Sequence, residues 1–291
     1  MRVASFSFER QEARFGVALV LPSLIVLAAL VLYPIGYNIF LSFNDVSFTS
    51  GNVFVGLKNY SDLLGDVEFW NSFGTSATYV LFSTFGSTLL GLVVALMMNV
   101  KFPFRGLVRG LLLFPYVAPV ISVVFSWQFF FDPVQGPFAY LAVDVLHLAS
   151  KRFNLIGDPS SALWVAIVFN IWRSFPFMYL MILSRLQAID ETLYEAAEMD
   201  GADSWVRFRH IIFPELRFVI GALVLLRFIW NFNKFEEVFL LTDNVKVLPV
   251  FTYFKAFLGT QEIGQAAAIA VIQMIVLTGV ILIYAKKVLK W

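Results

Sequence analysis

Cysteine is absent from the 291 residues, which removes disulfides, thiolate metal sites and thiol catalysis together. Histidine is nearly absent: His147 and His210 stand alone and far apart, so the sequence predicts no histidine metal site. No G-x-x-x-x-G-K-[ST] run occurs, so any ATP that drives this protein must bind on another chain. Charge is scarce, at 14% of residues with a net of +1, and leaves no basic footprint for nucleic acid. Low-complexity tracts, a soluble domain and a clear internal repeat are missing too. What remains is apolar: 59% of residues are hydrophobic, 33 are Phe, and the mean hydropathy is +0.79. A water-soluble domain cannot hide that much apolar surface, so a bilayer is the solvent this composition fits.

Six apolar stretches reach the roughly 20 residues that cross a bilayer, near 16–42, 72–98, 108–131, 162–186, 218–241 and 264–285. The expected fold is therefore all-α and polytopic, a single transmembrane domain over 1–291. The first stretch follows Arg2, Arg10 and Arg14, but it is too long for a signal-peptide core and contains Pro22 and Pro34. It reads as a retained membrane helix. With both termini cytoplasmic, thirteen basic residues fall on the inner side, from Arg2 to Lys290. Lys58, Lys151, Arg152, Lys246 and Lys255 are the five outside. That bias obeys the positive-inside rule.

Arg173, Arg227, Lys234, Glu236 and Glu237 lie within or at the ends of the fourth and fifth stretches. Each central charge costs about 2.5–3.5 kcal/mol on insertion scales unless it meets a partner or a polar path. Two readings stay open: the arginines pair with Glu236 or Glu237 to hold helices together, or they meet a solute. Arg227, Asn231 and Lys234 recur at i, i+4 and i+7, and Asn170, Arg173, Ser174 and Phe177 also share one helical face. Pro115 and Pro119 interrupt the third stretch and leave carbonyls seeking partners. Three such polar faces can surround a hydroxylated solute, with Tyr116, Trp172 and Phe177 to stack on a sugar ring.

Residues 188–217 stand apart from the apolar pattern. Glu195-Ala196-Ala197-Glu198-Met199-Asp200-Gly201-Ala202 predicts a short helix with a low, small-residue surface and a glycine exit. Asp203 or Ser204 can cap the next helix, and Pro214 suits a first turn. With Phe208, Ile211 and Pro214, this segment resembles the EAA loop of permease subunits in binding-protein-dependent ABC importers. Other runs carry the likeness along the chain: Tyr33-Pro34, Gly56-Leu57-Lys58-Asn59-Tyr60, Leu113-Phe114-Pro115-Tyr116, Asn231-Phe232-Asn233-Lys234-Phe235 and Gly264-Gln265-Ala266-Ala267-Ala268. The chain is similar to the carbohydrate-uptake branch of that family (maltose, trehalose and glycerol-phosphate types). It departs from it at Asp243-Asn244-Val245-Lys246, where a glycine-proline run is usual, and at Phe218, where many loops have a second proline.

The resemblance implies the type I importer permease fold in the cytoplasmic (inner) membrane, importing a saccharide or related polyol by alternating access. It implies a second homologous permease, two ATPase subunits that bind ATP and Mg, an extracytoplasmic solute-binding protein, and no catalytic residue or cofactor here. Carried over position by position, the solute contacts are Tyr116, Val120, Asn170, Arg173, Ser174, Phe177, Arg227, Asn231 and Lys234. The ATPase-coupling residues are Glu195, Ala196, Ala197, Asp200, Gly201, Ala202, Phe208, Ile211 and Pro214. Arg173, Arg227 and Lys234 stand where a maltose permease has uncharged residues, which keeps an anionic substrate open. The rivals are an ion-coupled secondary transporter using Glu236 or Glu237, and a membrane-embedded enzyme, for which no nucleophile–base or metal constellation is found.

Overall fold

The computed structural model describes residues 2–47, 51–148, 153–258 and 261–288. Lys151, Arg152 and Lys290, which enter the charge count above, lie outside the described residues. The helices in chain order begin with α1 (Arg2–Leu27), which passes through a π-helical turn (Ala28–Leu32) into α2 (Tyr33–Ser42). Then come α3 (Lys58–Gly65), α4 (Val67–Asn99), α5 (Arg105–Leu111), α6 (Phe114–Val117), α7 (Val120–Phe130), α8 (Pro137–Ala139) and α9 (Pro159–Leu186). They continue with α10 (Glu191–Met199), α11 (Ser204–Arg207), α12 (Phe213–Phe232), α13 (Glu236–Leu241), α14 (Leu248–Phe257) and α15 (Ile263–Val288).

Four of these segments are long and apolar enough to cross a membrane: Phe15–Ser42, Val67–Asn99, Pro159–Leu186 and Ile263–Lys287. The third expected span is not one rod. Arg105–Val117 and Val120–Phe130 meet at 90°, because Ala118 is extended and Pro119 has no N–H to carry the ladder across. The fifth expected span also differs: α12 starts at Phe213, carries Glu215, Arg217 and Arg227, and stops at Phe232, well short of 241. Asn233 explains the stop. Its Nδ2 donates to the Ile229 carbonyl at 2.9 Å and takes the place of the next backbone bond.

The chain divides into two compact units. The first comprises residues 1–65 and 252–274. It holds the one pair of strands among the described residues, β1 (Asn44–Ser47) and β2 (Gly51–Phe54), antiparallel with Asn44 opposite Phe54. The sequence reading, all helix, did not anticipate them. Asn59 fixes the hairpin to the end of α2, its Nδ2 donating at 2.9 Å to the carbonyls of both Ser42 and Asn44. Gly264 opens α15 with no room for a Cβ, which would overlap the Asn44 carbonyl.

The second unit comprises residues 66–251 and 275–291. Its centre is the packing of α4 on α9, and its sequence explains how close they come. The buried residues of α4 include a stripe of small ones (Ser76, Ser83, Ser87, Gly91 and Ala95) at near-helical spacing. In lipid, where apolar surface gains nothing by leaving water, small residues let backbones approach and pack. A Cβ on Gly91 would lie 2.9 Å from the Tyr179 backbone nitrogen. Two hydroxyls here are satisfied within the helix, Ser87 donating to the Ser83 carbonyl at 2.6 Å and Thr88 to that of Thr84 at 2.7 Å. Ser76 Oγ instead accepts the Leu248 N–H at 2.6 Å, and the Ser83 hydroxyl has no partner among the described residues. Met98, Phe175, Met178, Ile182, Leu186, Leu216 and Leu223 complete the core, which carries α12 on the same two helices.

Candidate functional site

Six of the nine expected solute contacts gather into one hydrogen-bonded cluster where α9, α12 and α13 meet. Arg227, 3% exposed, donates from Nη2 to Asn170 Oδ1 at 2.9 Å, to Asn231 Oδ1 at 3.0 Å and to the Ser174 hydroxyl. Those acceptors are neutral: of the two readings left open for Arg227, a direct bond to a carboxylate is not the one seen, and two amides and a hydroxyl take its place. Asn231 in turn donates from Nδ2 to Thr84 Oγ1 at 3.0 Å. The other arginine does find an acid: Arg173 Nε donates to Glu237 Oε1 at 2.9 Å. Lys234 Nζ lies at the same distance from that oxygen, and Asn170 Nδ2 donates to Glu237 Oε2 at 3.2 Å. Glu236 beside it is exposed.

One expectation about this cluster needs correcting. Lys234 does not share a helical face with Arg227 and Asn231, because α12 ends two residues before it. It joins the group through the turn, where its N–H donates to the Asn231 carbonyl at 3.2 Å. The proline-broken third span has its partner here as well. Arg173 Nη1 donates to the Ala118 carbonyl at 3.1 Å and to that of Pro115 at 3.5 Å.

Apolar contacts flank the polar group. The Tyr116 and Phe177 rings stack with centroids 5.9 Å apart, and Phe177 meets Trp230 at 5.4 Å. Tyr116 is 42% exposed, Val120 is half-buried at the first turn of α7, and Trp172 is spent on packing against Trp127 at 5.5 Å. Sequence reasoning missed Thr84 and the fully buried Tyr79, which lies close enough to Glu237 and Arg227 to feel both charges. The readable signal was the Ser/Thr spacing of α4.

The second candidate region is the loop between α9 and α12. Asp190 caps α10 by accepting the Thr192 N–H at 2.9 Å, and that bond holds its carboxyl below the usual 3.8. At the other end Gly201 has φ +75°. Its N–H reaches the Glu198 carbonyl at 3.0 Å while that of Ala202 reaches Ala197 at 2.8 Å, which is the paired bonding of a Schellman exit. Asp203 caps α11 through the Val206 N–H at 2.7 Å, and Pro214 sits in the first turn of α12.

Glu195, Ala196, Asp200, Gly201 and Pro214 are exposed, while Ala197, Ala202, Phe208 and Ile211 are half-buried. Phe208 stacks on Trp205 at 5.8 Å, and Ile211 and Tyr194 pack against the core. Burial pushes the Tyr194 phenol up. An ion pair between Arg185 and Glu215 closes the base of the loop.

Residues 87–289 match the family model described as "Binding-protein-dependent transport system inner membrane component". The chain belongs to this family. It is therefore a membrane-embedded permease subunit of a binding-protein-dependent transport system. Over 281 residues it is 40% identical to the inner membrane ABC transporter permease protein YcjO of Escherichia coli, covering 96% of both chains. It is 31% identical over 285 residues to the trehalose/maltose permease MalF of Thermococcus litoralis, covering 95% of this chain and 94% of that one. The fold is that of solved ABC importer permeases. A chain of a bacterial alginate ABC transporter, 19% identical, superposes with a TM-score of 0.83 over 96% of this chain and 95% of its own. Membership leaves the ion-coupled rival without support, and its two acids do not favour it: Glu236 is exposed, and Glu237 is engaged by two cations and an amide.

Proposed function

We propose that this chain is the permease subunit of an ATP-driven importer for a di- or oligosaccharide or related polyol, working with a second homologous permease and two ATPase subunits. ATP and Mg would bind on the ATPases, and the chain itself would hold no cofactor and catalyse nothing. Both termini would be cytoplasmic, placing the loop of 188–217 where an ATPase can reach it. The observation that carries the reading is that loop. It is an exposed, capped helix with a small-residue surface and a fixed glycine exit, rooted in the core by Ile211 and Leu216. Relatives named for trehalose, maltose and sulfoquinovosyl glycerol transport support the substrate class.

In this reading the accessible groups touch the solute. Tyr116 and Phe177 offer aromatic faces to a sugar ring, Val120 borders them, and Lys234 and the edge of Arg173 offer donors to its hydroxyls. Asn170, Ser174, Arg227 and Asn231, 0–4% exposed, hold those groups in place in the present conformation. The test is uptake of radiolabelled oligosaccharides by membrane vesicles containing the chain, its partner permease and their ATPase. Uptake should stop when the ATPase is disabled. Uptake that persists without the ATPase and collapses with an ionophore would overturn the proposal.

A further inference from the structure

The 90° break in the third span leaves specific orphan groups. The Pro115 carbonyl would normally accept the N–H four residues on, which is Pro119 and has none. The Ala118 carbonyl loses its own partner because Ala118 is extended, with ψ at 141°. Inside a bilayer such carbonyls need a protein donor. Both are served by one guanidinium, Arg173 Nη1 from α9, at 3.5 and 3.1 Å. The orientation of Arg173 is set in turn by Glu237, whose side chain is 6% exposed and which accepts from Arg173 Nε at 2.9 Å. A single carboxylate in the first turn of α13 thereby aims the group that splints the break between α6 and α7.

The same carboxylate has a second cation. Lys234 Nζ lies 2.9 Å from Glu237 Oε1, the oxygen that Arg173 also uses. A buried pair that separates leaves an uncompensated charge and is costly to open. Here Arg173 can leave while Lys234 keeps Glu237 neutralised.

We propose that Glu237 and Lys234 form a releasable latch on Arg173, with Glu237 as a positioning residue for the break at Pro115–Pro119. While Arg173 is latched the break is held against α9, and when Arg173 is released the two halves of the third span can realign. The inference deepens the importer reading, since a path that opens and closes by alternating access needs a bend that can be locked and freed.

The absence of cysteine supplies the experiment, because Ala118→Cys places a single thiol at the break, where Ala118 is 9% exposed. The full chain, in membranes with its partner subunits, is treated with a small polar methanethiosulfonate, and the labelling rate is measured. Glu237→Gln keeps the shape but not the charge, and should raise the rate about tenfold, the population shift that about 1.4 kcal/mol produces. Glu237→Asp should restore most of the protection. Arg173→Lys keeps the charge but loses the two separate nitrogens that hold Glu237 and the carbonyls at once, and should expose the thiol as Glu237→Gln does.

Because both changes break one device, the double variant should label no faster than either alone. Rates unchanged in Glu237→Gln, or effects that multiply independently in the double variant, would overturn the latch. ATP-driven uptake by the parent is scored separately. Its failure would sink the importer reading, while the labelling rates would still decide the latch.

Discussion

Gly201 is the residue through which the loop can be perturbed with least collateral damage. Its φ is +75°, and nothing stands within 4 Å of where a Cβ would project. A side chain there meets no steric wall, so the cost is the backbone's alone. For a residue with a Cβ, left-handed helical geometry costs about 1–2 kcal/mol, and a β-branched residue sits at the upper end. Gly201→Val should therefore shift the exit of α10 away from its native geometry by about 5–30-fold, the ratio that one to two kcal/mol represents. The Ala202–Ala197 and Gly201–Glu198 bonds go with it, and the exposed face of α10 loses its fixed angle to α11. The core is untouched, so membrane insertion and thermal unfolding of the extracted chain should match the parent. Asparagine tolerates positive φ, and Gly201→Asn should behave almost as the parent does. The assay is co-purification of the ATPase with the tagged chain from membranes, read beside uptake. Recovery should fall in the order Gly, Asn, Val. Val and Asn variants that recover equal ATPase and transport equally would refute the argument, because they would show that the exit geometry does not matter to the partner.

Three further perturbations probe the helix packing, the buried cluster and the α10 cap. Gly91→Val should destabilise the α4–α9 contact by about 1–3 kcal/mol through overpacking and lower the unfolding temperature, whereas Gly106→Ala, with open space around it, should not. Arg227→Met should leave Asn170, Ser174 and Asn231 short of a donor, at about 1–3 kcal/mol for each buried group left unsatisfied; folded yield in detergent reads it. The carboxyl of Asp190 is held below 3.8 by bonds to Thr192, so its support for α10 is complete above that pH and is lost as the pH falls through the lowered value. Protection of the Thr192 amide, taken against its intrinsic exchange rate, should fall in that acid range for the parent, and Asp190→Ala should lack that protection already at neutral pH.

The loop was legible because its signals are local. Gly201 declares a positive φ, Asp203 a cap and Pro214 a first turn, each through its own covalent chemistry, and all three are where the sequence places them. The face of α9 carrying Asn170, Arg173 and Ser174 was legible too, since polar residues at helical spacing in an apolar run must turn inward. The end of α12 was not. The stretch 218–241 contains no proline, and the polar run of Asn233, Lys234, Glu236 and Glu237 reads as well as an inward helical face as it does as a helix end. What stops the helix is the Asn233 side chain, together with a turn that carries Lys234 to Glu237. The partners of Arg227 were left open for a related reason. Charge pairing is the simple expectation, yet three neutral oxygens from two helices meet the same need, and their convergence is tertiary. The hairpin at Asn44–Phe54 shows the same limit, because its anchor is Asn59.

The cluster and the loop are joined by uninterrupted helix, and this bears on how a push at one can be felt at the other. From Asn170 to Leu186, α9 runs without a break despite Pro176, and from Pro214 to Asn231, α12 does the same. At 1.5 Å per residue each is a rod of about 25 Å. The rods are fastened at the loop end by the Arg185–Glu215 pair and by Leu186 and Leu216 in the core, and at the other end by Arg227 with Asn170 and Ser174. Two rods tied at both ends move together. A partner that tilts α10 and α11 therefore shifts Arg173 and Asn231 as a body, and does not shear α9 past α12. What can yield lies beyond the far end of the rods: the bend at Ala118–Pro119 and the turn at Asn233–Phe235, both held by side chains where backbone bonds stop. The motion that opens a path through this chain is thus expected at those two breaks. That is where the sequence spends its buried charge, and where a bilayer would otherwise make charge too costly to keep.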